Sequence, residues 1–449
     1  MRMQLTNRPP LRGALSALTA ALLGTGAAAS EGRNRVESSI LLYSEVDRVQ
    51  AAEAIIGLGR ALKGDRMLSA RLTLDGLTGA SPNGATPSAR VQTFTRPSGE
   101  GGYSVKPGEI PLDDTFKDTR YSFDGSLAQP LDRLTTIVLG AHYSGEHDYT
   151  SLGASVGLSR DLNRKNTTLS ASAAYSRDRV RPEGGPPDPL SSMSARADDD
   201  DDDDAGEREL AAQDDDGDDD DDEDRESDAG EGKNVYDVVF GLTQVLNRQT
   251  VLRLNYSYNH SSGYLNDPYK IVSVVQGPGG PDAGEPVDYL YEARPDGRAK
   301  QAVFAQLRRY LSGHTIDLSY RYFWDDWGVT SQTVELFYRL PVKAGHALQP
   351  HVRWYRQTEA DFYRVFLVEA APAPAHASAD YRLAPFHAVT AGLQYLFPVG
   401  QGVQVSLGGE YYHQAGDISP PRSMGVLSTY ELFPDMDAVM VRAGFDYEF

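Results

Sequence analysis

Strict alternation of apolar and polar residues at the C-terminus constrains the fold of this chain more than any other feature. The apolar positions are Val439, Val441, Ala443, Phe445, Tyr447 and Phe449, and the positions between them are Met440, Arg442, Gly444, Asp446 and Glu448. Because successive side chains of a strand point to opposite faces, this segment predicts a strand with one apolar face. Strands of a membrane barrel have this pattern, with lipid on one side and a wet lumen on the other.

Similar alternation recurs along the chain and predicts about sixteen strands, an even number, each long enough for a tilted membrane span. The candidates are 36–46, 51–62, 66–77, 117–129, 133–145, 149–160, 165–178, 234–246, 249–262, 298–311, 314–326, 329–341, 346–359, 384–397, 401–414 and 436–449. We therefore predict an all-β fold, a transmembrane antiparallel up-and-down β-barrel. A soluble β-sandwich is the alternative, but such domains seldom need so many strands of this length.

The connections between the predicted strands fall into two sets. Those that follow residues 62, 129, 160, 246, 311, 341 and 397 are short, and every long connection belongs to the other set, at 78–116, 179–233, 263–297, 360–383 and 415–435. Short periplasmic turns and longer extracellular loops are typical of outer-membrane barrels. We accordingly expect the long loops outside the cell and both termini in the periplasm.

The N-terminus has the pattern of an export signal. Arg2, Arg8 and Arg12 precede an apolar run over 15–23, and small residues end at Ala29. This predicts a signal peptide over 1–29 and a mature barrel over 30–449, in the outer membrane of a Gram-negative bacterium. The absence of cysteine excludes disulfides, thiolate metal sites and cysteine catalysis.

One segment, 197–231, carries nearly all of the net charge of −21, with 17 Asp and 5 Glu against two Arg. Blocks of like charge repel one another, which favours a disordered extracellular loop. The functional alternative is weak, non-specific binding of divalent cations, because such ions take several carboxylate oxygens. The candidate ligands are Asp198, Asp199, Asp200, Asp201, Asp202, Asp203, Asp204, Asp214, Asp215, Asp216, Asp218, Asp219, Asp220, Asp221 and Asp222. A chain so acidic is a poor partner for nucleic acid.

Charged residues at inward-facing strand positions predict a wet lumen of mixed charge. They are Arg253, Asp317, Arg321, Glu335, Arg339, Arg353 and Arg442. Salt bridges of the wall explain them more simply than a dedicated substrate site, although both remain open. Phe94, Arg96 and Tyr103 lie in loop 78–116, which we expect to fold into or over the barrel mouth as a plug or constriction.

An enzymatic role has little support in the sequence. His142, His147 and Asp148 fall at the outer end of one predicted hairpin, where a few barrel enzymes place a histidine and acids. No further residues complete a hydrolase constellation by their spacing, and no nucleophile elbow, zinc motif or phosphate-binding loop occurs. We therefore predict no catalytic residues and no cofactor beyond weakly bound divalent cations.

Four stretches resemble an uncharacterised proteobacterial family known as domain of unknown function 3570. They are 81–85 (SPNGA), 92–99 (QTFTRPSG), 116–120 (FKDTR) and 264–270 (YLNDPYK). The resemblance implies an outer-membrane protein without an assigned activity. It also implies an association with small cysteine-bearing, thioredoxin-like and flavin-transferring proteins, and so a link to envelope redox or metal handling. No catalytic residue can be carried over.

Three functions therefore remain open. The first is a channel or transport-associated barrel for small or cationic solutes, surrounded by outer-membrane lipid and inserted by the barrel-assembly machinery with Phe449 as its assembly signal. The second is a non-conducting anchor for an envelope redox or metal-handling partner. The third is a hydrolase at the barrel rim.

Overall fold

The computed structural model describes residues 34–46, 48–95, 102–182, 184–193, 230–416 and 423–449. In chain order the strands are β1 (Arg35–Glu45), β2 (Gln50–Leu62), β3 (Arg66–Pro82), β4 (Gln92–Thr95), β5 (Gly102–Val105), β6 (Leu112–Pro130), β7 (Thr135–Gly145), β8 (Tyr149–Leu162), β9 (Thr167–Val180), β10 (Glu231–Asn247), β11 (Thr250–Gly263), β12 (Ile271–Val275), β13 (Pro286–Tyr291), β14 (Gly297–Leu311), β15 (His314–Asp325), β16 (Thr330–Lys343), β17 (His346–Gln357), β18 (Leu367–Val368), β19 (Phe386–Pro398), β20 (Val403–Gly416) and β21 (Met436–Glu448).

Sixteen of these strands form a closed barrel, as the periodicity predicts. Each pairs antiparallel with the next barrel strand along the chain, and β1 pairs with β21 from Arg35↔Glu448 to Glu45↔Ala438 to close the ring. The barrel leaves no open sheet edge, so every wall strand has a hydrogen-bonding partner on both sides. Short 3-10 turns occur at Asn163–Lys165, Tyr381–Leu383 and Gly425–Thr429, and no described helix is long and apolar enough to cross a membrane.

The wall separates an apolar exterior from a polar interior. On β3, Leu72 and Leu74 are 41% and 49% exposed, whereas Thr73 between them is 8% exposed. The same alternation on β10 places Tyr236 and Phe240 outside and Asp237 inside. An exterior of exposed Leu, Val and aromatic side chains suits lipid, and the inward set of Ser, Thr, Asp and Arg suits a wet lumen.

The two ends of the barrel differ. At one end, here called the turn end, seven tight connections lie together with the first and last described residues, Asn34 and Phe449, whose backbones exchange two hydrogen bonds of 3.0 Å. Non-glycine residues adopt a positive φ at several of these turns, among them Asp65 and Ser312, each beside a glycine that also has positive φ. Such residues are common in tight hairpins, because they match the twist of the paired strands.

At the other end, the long connections fold together into what we call the cap: the described residues of loops 83–111, 264–296, 358–385 and 417–435. Its strands are β12 and β13, which pair as a hairpin, β18, which adds to β12 in parallel, and the separate β4–β5 hairpin. The first of these loops is shorter than the predicted 78–116, because β3 continues to Pro82 and β6 begins at Leu112. The cap is therefore a small folded layer rather than a set of independent loops.

Candidate functional site

The cap has its own apolar core, to which several loops contribute. Phe94 is 1% exposed and lies 4.9 Å from Tyr289 and 5.4 Å from Tyr103, measured between ring centroids. A second cluster joins Trp327 and Phe362, in edge-to-face contact at 5.0 Å, with Phe433. Aromatic pairs of this kind supply large buried areas with defined geometry. The loops consequently hold one another in place.

Beneath this core, five charged residues join loops 264–296 and 358–385 in what we call the cap network: Asp267, Glu292, Arg294, Asp380 and Arg382. Arg294 Nη2 donates to Asp380 Oδ2 at 2.8 Å and to Glu292 Oε2 at 3.0 Å. Arg382 donates to Asp267 at 2.7 Å and to Asp380 at 2.8 Å. Burial alone would raise the pKa of Asp380, but the guanidinium groups of Arg382 and Arg294 lower it well below its usual range.

A cavity of about 270 Å³ lies in the lumen directly below the cap network, and we call it the basic cavity. The barrel wall contributes Lys233, Arg298, Lys300, Arg321 and Arg353 to its lining, and the cap contributes Arg294 and Arg382. Asp380 is the single carboxylate that lines it in the described part of the chain. The lining is therefore strongly cationic.

Four of these seven cations have a carboxylate partner. Arg294 and Arg382 belong to the cap network, Lys233 Nζ lies 3.5 Å from Asp178, and Arg298 forms a two-pronged pair with Asp325. Arg298 also covers the ring of Trp327 at 4.1 Å, in a cation–π contact. These four residues are fixed by their partners, and they leave little positive charge unbalanced.

The other three, Lys300, Arg321 and Arg353, form no ion pair within 4.0 Å among the residues that the structure describes. Lys300 is 6% exposed. Asp325, directly opposite it, accepts from Arg298, and Asp237, two strands away, accepts from the amide of Asn259 at 2.8 Å. Arg321 and Arg353 are half-buried on β15 and β17. Burying a cation without a partner is costly, so this arrangement needs an explanation.

Of the lumen residues predicted from sequence, Arg321 and Arg353 alone line the basic cavity. Glu335 lies 3.1 Å from Nε2 of His351, a residue that the sequence analysis missed, and His351 Nδ1 lies 2.8 Å from Glu410. Asp317 pairs with Arg308 at 2.9 Å and accepts from Gln306 at 2.7 Å. These last contacts are wall salt bridges and hydrogen bonds of the kind expected in a barrel interior.

The remaining predicted residues are dispersed. Arg253 is half-buried on the inner wall near Arg308, Arg339 is exposed toward the turn end, and Arg442 is exposed at the middle of β21. Phe94 and Tyr103 belong to the cap core, where Asn83 donates to the Tyr103 hydroxyl at 2.9 Å. Arg96 and the acidic candidates between Asp198 and Asp222 lie outside the described residues, as do the predicted signal peptide and most of segment 197–231.

The three residues predicted at the barrel rim do not form one group. His142 Nδ1 lies 2.7 Å from Asp124 on the inner wall, whereas Asp148 accepts a hydrogen bond from the hydroxyl of Tyr269 in the cap. His147 is exposed. Within the described ranges, no group of three or more histidines and acids is arranged to hold a metal ion.

Part of the basic cavity could have been found by sequence reasoning. Arg298 and Lys300 are at inward positions of the predicted strand 298–311, two residues apart, so the alternation alone places both on the lumen side. Arg294 and Arg382 could not be found in this way, because they lie in irregular loops without periodicity. The stretch 264–270 contains Asp267, the partner of Arg382, but a family likeness does not disclose a pairing across 115 positions.

Among solved structures, the fold is similar to several outer-membrane barrels. One described as a bacterial polysaccharide outer membrane secretin is 7% identical, with a TM-score of 0.43, over 93% of this chain and 99% of the other. The TodX deltaS2S3 mutant monoaromatic hydrocarbon channel is 10% identical, with a TM-score of 0.40, over 96% and 93%. OccK5 (OpdH) of Pseudomonas aeruginosa is 10% identical, with a TM-score of 0.39, over 93% and 98%.

No curated protein matches the sequence. The model of one protein family, described as "Protein of unknown function (DUF3570)", matches residues 12–449, which is nearly the whole chain. This confirms the resemblance carried by the stretches at 81–85, 92–99, 116–120 and 264–270. The chain belongs to the DUF3570 family.

Proposed function

We propose that this protein is an outer-membrane transport barrel whose lumen is closed at rest by the cap. The observation that carries the proposal is the cap network, which joins two loops by buried charges directly above a lumenal cavity. Buried ion pairs contribute little net stability compared with apolar packing, so they are better suited to fixing one arrangement of two elements. The network accordingly holds a closed state that can be released.

The proposed orientation places the cap outside the cell and the turn end in the periplasm. It is supported by the uniformly short connections at the turn end, where the described barrel also begins at Asn34 and ends at Phe449. An epitope inserted between Gly279 and Gly280, in an exposed turn of the cap, should be labelled on intact cells. Labelling only after the outer membrane is permeabilised would reverse the orientation.

Conductance across planar lipid bilayers tests the transport function. The wild-type barrel should open rarely, and Asp380→Ala should open more often, because it leaves Arg294 and Arg382 without their shared carboxylate. Asp282→Ala is the matched control, since Asp282 belongs to the cap but not to the network and forms a half-exposed pair with Arg90 at 3.1 Å. Conductance by neither the wild type nor Asp380→Ala would favour the non-conducting anchor instead.

Two parts of the chain, segment 197–231 and the basic cavity, favour solutes of opposite charge. Preference for a cation rests on segment 197–231, most of which lies outside the described residues, and so stays a prediction. The rim hydrolase, the redox or metal-handling partner and insertion by the barrel-assembly machinery also stay predictions. The lining of the basic cavity has the opposite charge. If the proposed transport route passes through this cavity, the cavity rather than the acidic segment decides what is retained there.

A further inference from the structure

Three cations of the lumen lack a carboxylate partner in the described part of the chain and face one small cavity. Cross-strand pairing puts Arg321, Thr333 and Tyr355 at one level of the wall, and Arg353 is two residues from Tyr355 toward the turn end. Lys300 is on the adjacent strand β14, nearer the cap. The three basic side chains therefore border the same space from three strands.

The carboxylates that could neutralise these cations are bound elsewhere. Glu335 is directly opposite Arg353 in the ladder, but it lies 3.1 Å from the ring nitrogen of His351. Asp325 is opposite Lys300 and binds Arg298. Intervening side chains thus hold the nearest carboxylates, and Lys300, Arg321 and Arg353 keep their donors available.

Aromatic and hydroxyl groups complete the surroundings. The guanidinium of Arg321 lies 5.9 Å from the ring of Phe323, and that of Arg353 lies 5.4 Å from the ring of Tyr355. These rings restrict the orientation of each planar group, which reduces the entropy lost when an anion binds. The hydroxyls of Ser331 and Thr333 also line the cavity and can donate to an oxygen of the ligand.

We propose that the basic cavity binds a small divalent oxyanion, held by Lys300, Arg321 and Arg353. Arginine matches the paired oxygens of phosphate and carboxylate with two parallel hydrogen bonds, and lysine adds a point charge. A volume of about 270 Å³ has room for inorganic phosphate or a short dicarboxylate. The inference deepens the proposed function, since the bound anion is then the solute that the barrel retains or passes.

Calorimetry on the purified full-length barrel in detergent tests the binding, with inorganic phosphate as the probe, succinate as the dicarboxylate and chloride as the monovalent comparison. Arg321→Gln and Arg353→Gln should each weaken phosphate or succinate binding by about tenfold or more, because each removes charge-assisted hydrogen bonds. Arg339→Gln is the matched control, an inward and exposed arginine of β16 outside the cavity, and it should leave the affinity unchanged. Heat-modifiable migration checks that each variant is assembled.

Binding of phosphate, of succinate or of both, lost in the two cavity variants and kept in the control, supports the site and identifies which oxyanion it takes. No binding of either probe to the wild type, equal affinity in all variants, or chloride bound as tightly as the divalent anions would overturn it. Arg353→Lys, which keeps the charge but loses the planar fork, replaces any glutamine variant that fails to assemble. If the protein binds an anion but does not conduct, the transport function is rejected and the anion site is retained. If it conducts but binds neither phosphate nor succinate, the anion site is rejected and the transport function is retained.

Discussion

The barrel wall and the cap are stabilised by different interactions, although one chain alternates between them. In the wall, each strand satisfies its backbone through two neighbours, and the apolar side chains face outward to lipid. In the cap, aromatic side chains are buried against one another and charges pair across loops, as in a small water-soluble domain. We therefore expect the cap to loosen without unfolding the wall, because the wall strands pair with one another in a closed ring.

Asp380→Ala should have the largest effect and should separate the two regions. It leaves two arginines buried without their shared carboxylate, which typically costs about 3–5 kcal/mol. The fluorescence of Trp327, buried in the cap core, reports the loosening when the outward-facing Trp324 and Trp354 are replaced by Phe. Heat-modifiable migration of the wall should stay as in the wild type, and parallel loss of both signals would show that cap and wall unfold together.

A rise in pH should loosen the connection 146–148, which contacts the cap through the hydrogen bond from Tyr269 to Asp148. Burial, followed by repulsion from Asp118, raises the pKa of Glu146 from 4.5 to about 8, and burial raises that of Asp148 to about 6. Both groups bind protons more tightly in the folded protein. Their contribution to the free energy of unfolding is therefore complete below their ordinary pKa values of 4.5 and 3.8, and it declines as the pH rises toward the folded values of about 8 and about 6.

We therefore expect the Tm of the cap to fall by several degrees between about pH 5.5 and about pH 8.5, because the stability linked to the raised pKa values is lost as the two carboxyl groups ionise. Glu146→Gln should remove most of this dependence. The depressed pKa of Asp380 acts in the opposite sense and only at strongly acidic pH, so it does not contribute in this range. An equal decline in the glutamine variant would assign the effect to other groups.

Phe449→Ala should affect assembly rather than the stability of the folded wall. The ring is 58% exposed and stacks on Tyr447 at 5.1 Å, so its loss should cost less than about 1 kcal/mol once the barrel is formed. The fraction of exported protein that becomes heat-modifiable should fall, whereas the Tm of assembled protein should hardly change. Unchanged assembly would show that Phe449 is not an assembly signal.

Deletion of 197–231 should have the smallest effect on the fold. The segment has little apolar content, and the cost of closing a loop changes only logarithmically with its length. Assembly and the melting of the cap should both match the wild type, while calcium binding at low ionic strength should decrease. Failure of the shortened chain to assemble would give the segment a structural role.

The sequence discloses the wall far better than the cap, for a physical reason. A period of two follows directly from lipid on one side and water on the other, so the strands at 36–46 and 436–449 could be predicted to within a residue or two. The cap has no such period, because its core combines Phe94, Tyr289 and Phe433 from separate loops. The inward arginines Arg321 and Arg353 were predicted as lumen residues, but the partners missing around them could be recognised only in three dimensions.

Hydrogen exchange followed by mass spectrometry tests most directly whether the cap opens independently of the wall. Backbone amides of β12 and β13 should exchange faster than those of β15 and β16, and Phe94→Ala, expected to cost about 3–5 kcal/mol, should accelerate exchange in the cap alone. Protection shared by cap and wall, or faster exchange in the wall strands of the Phe94→Ala protein, would contradict the account.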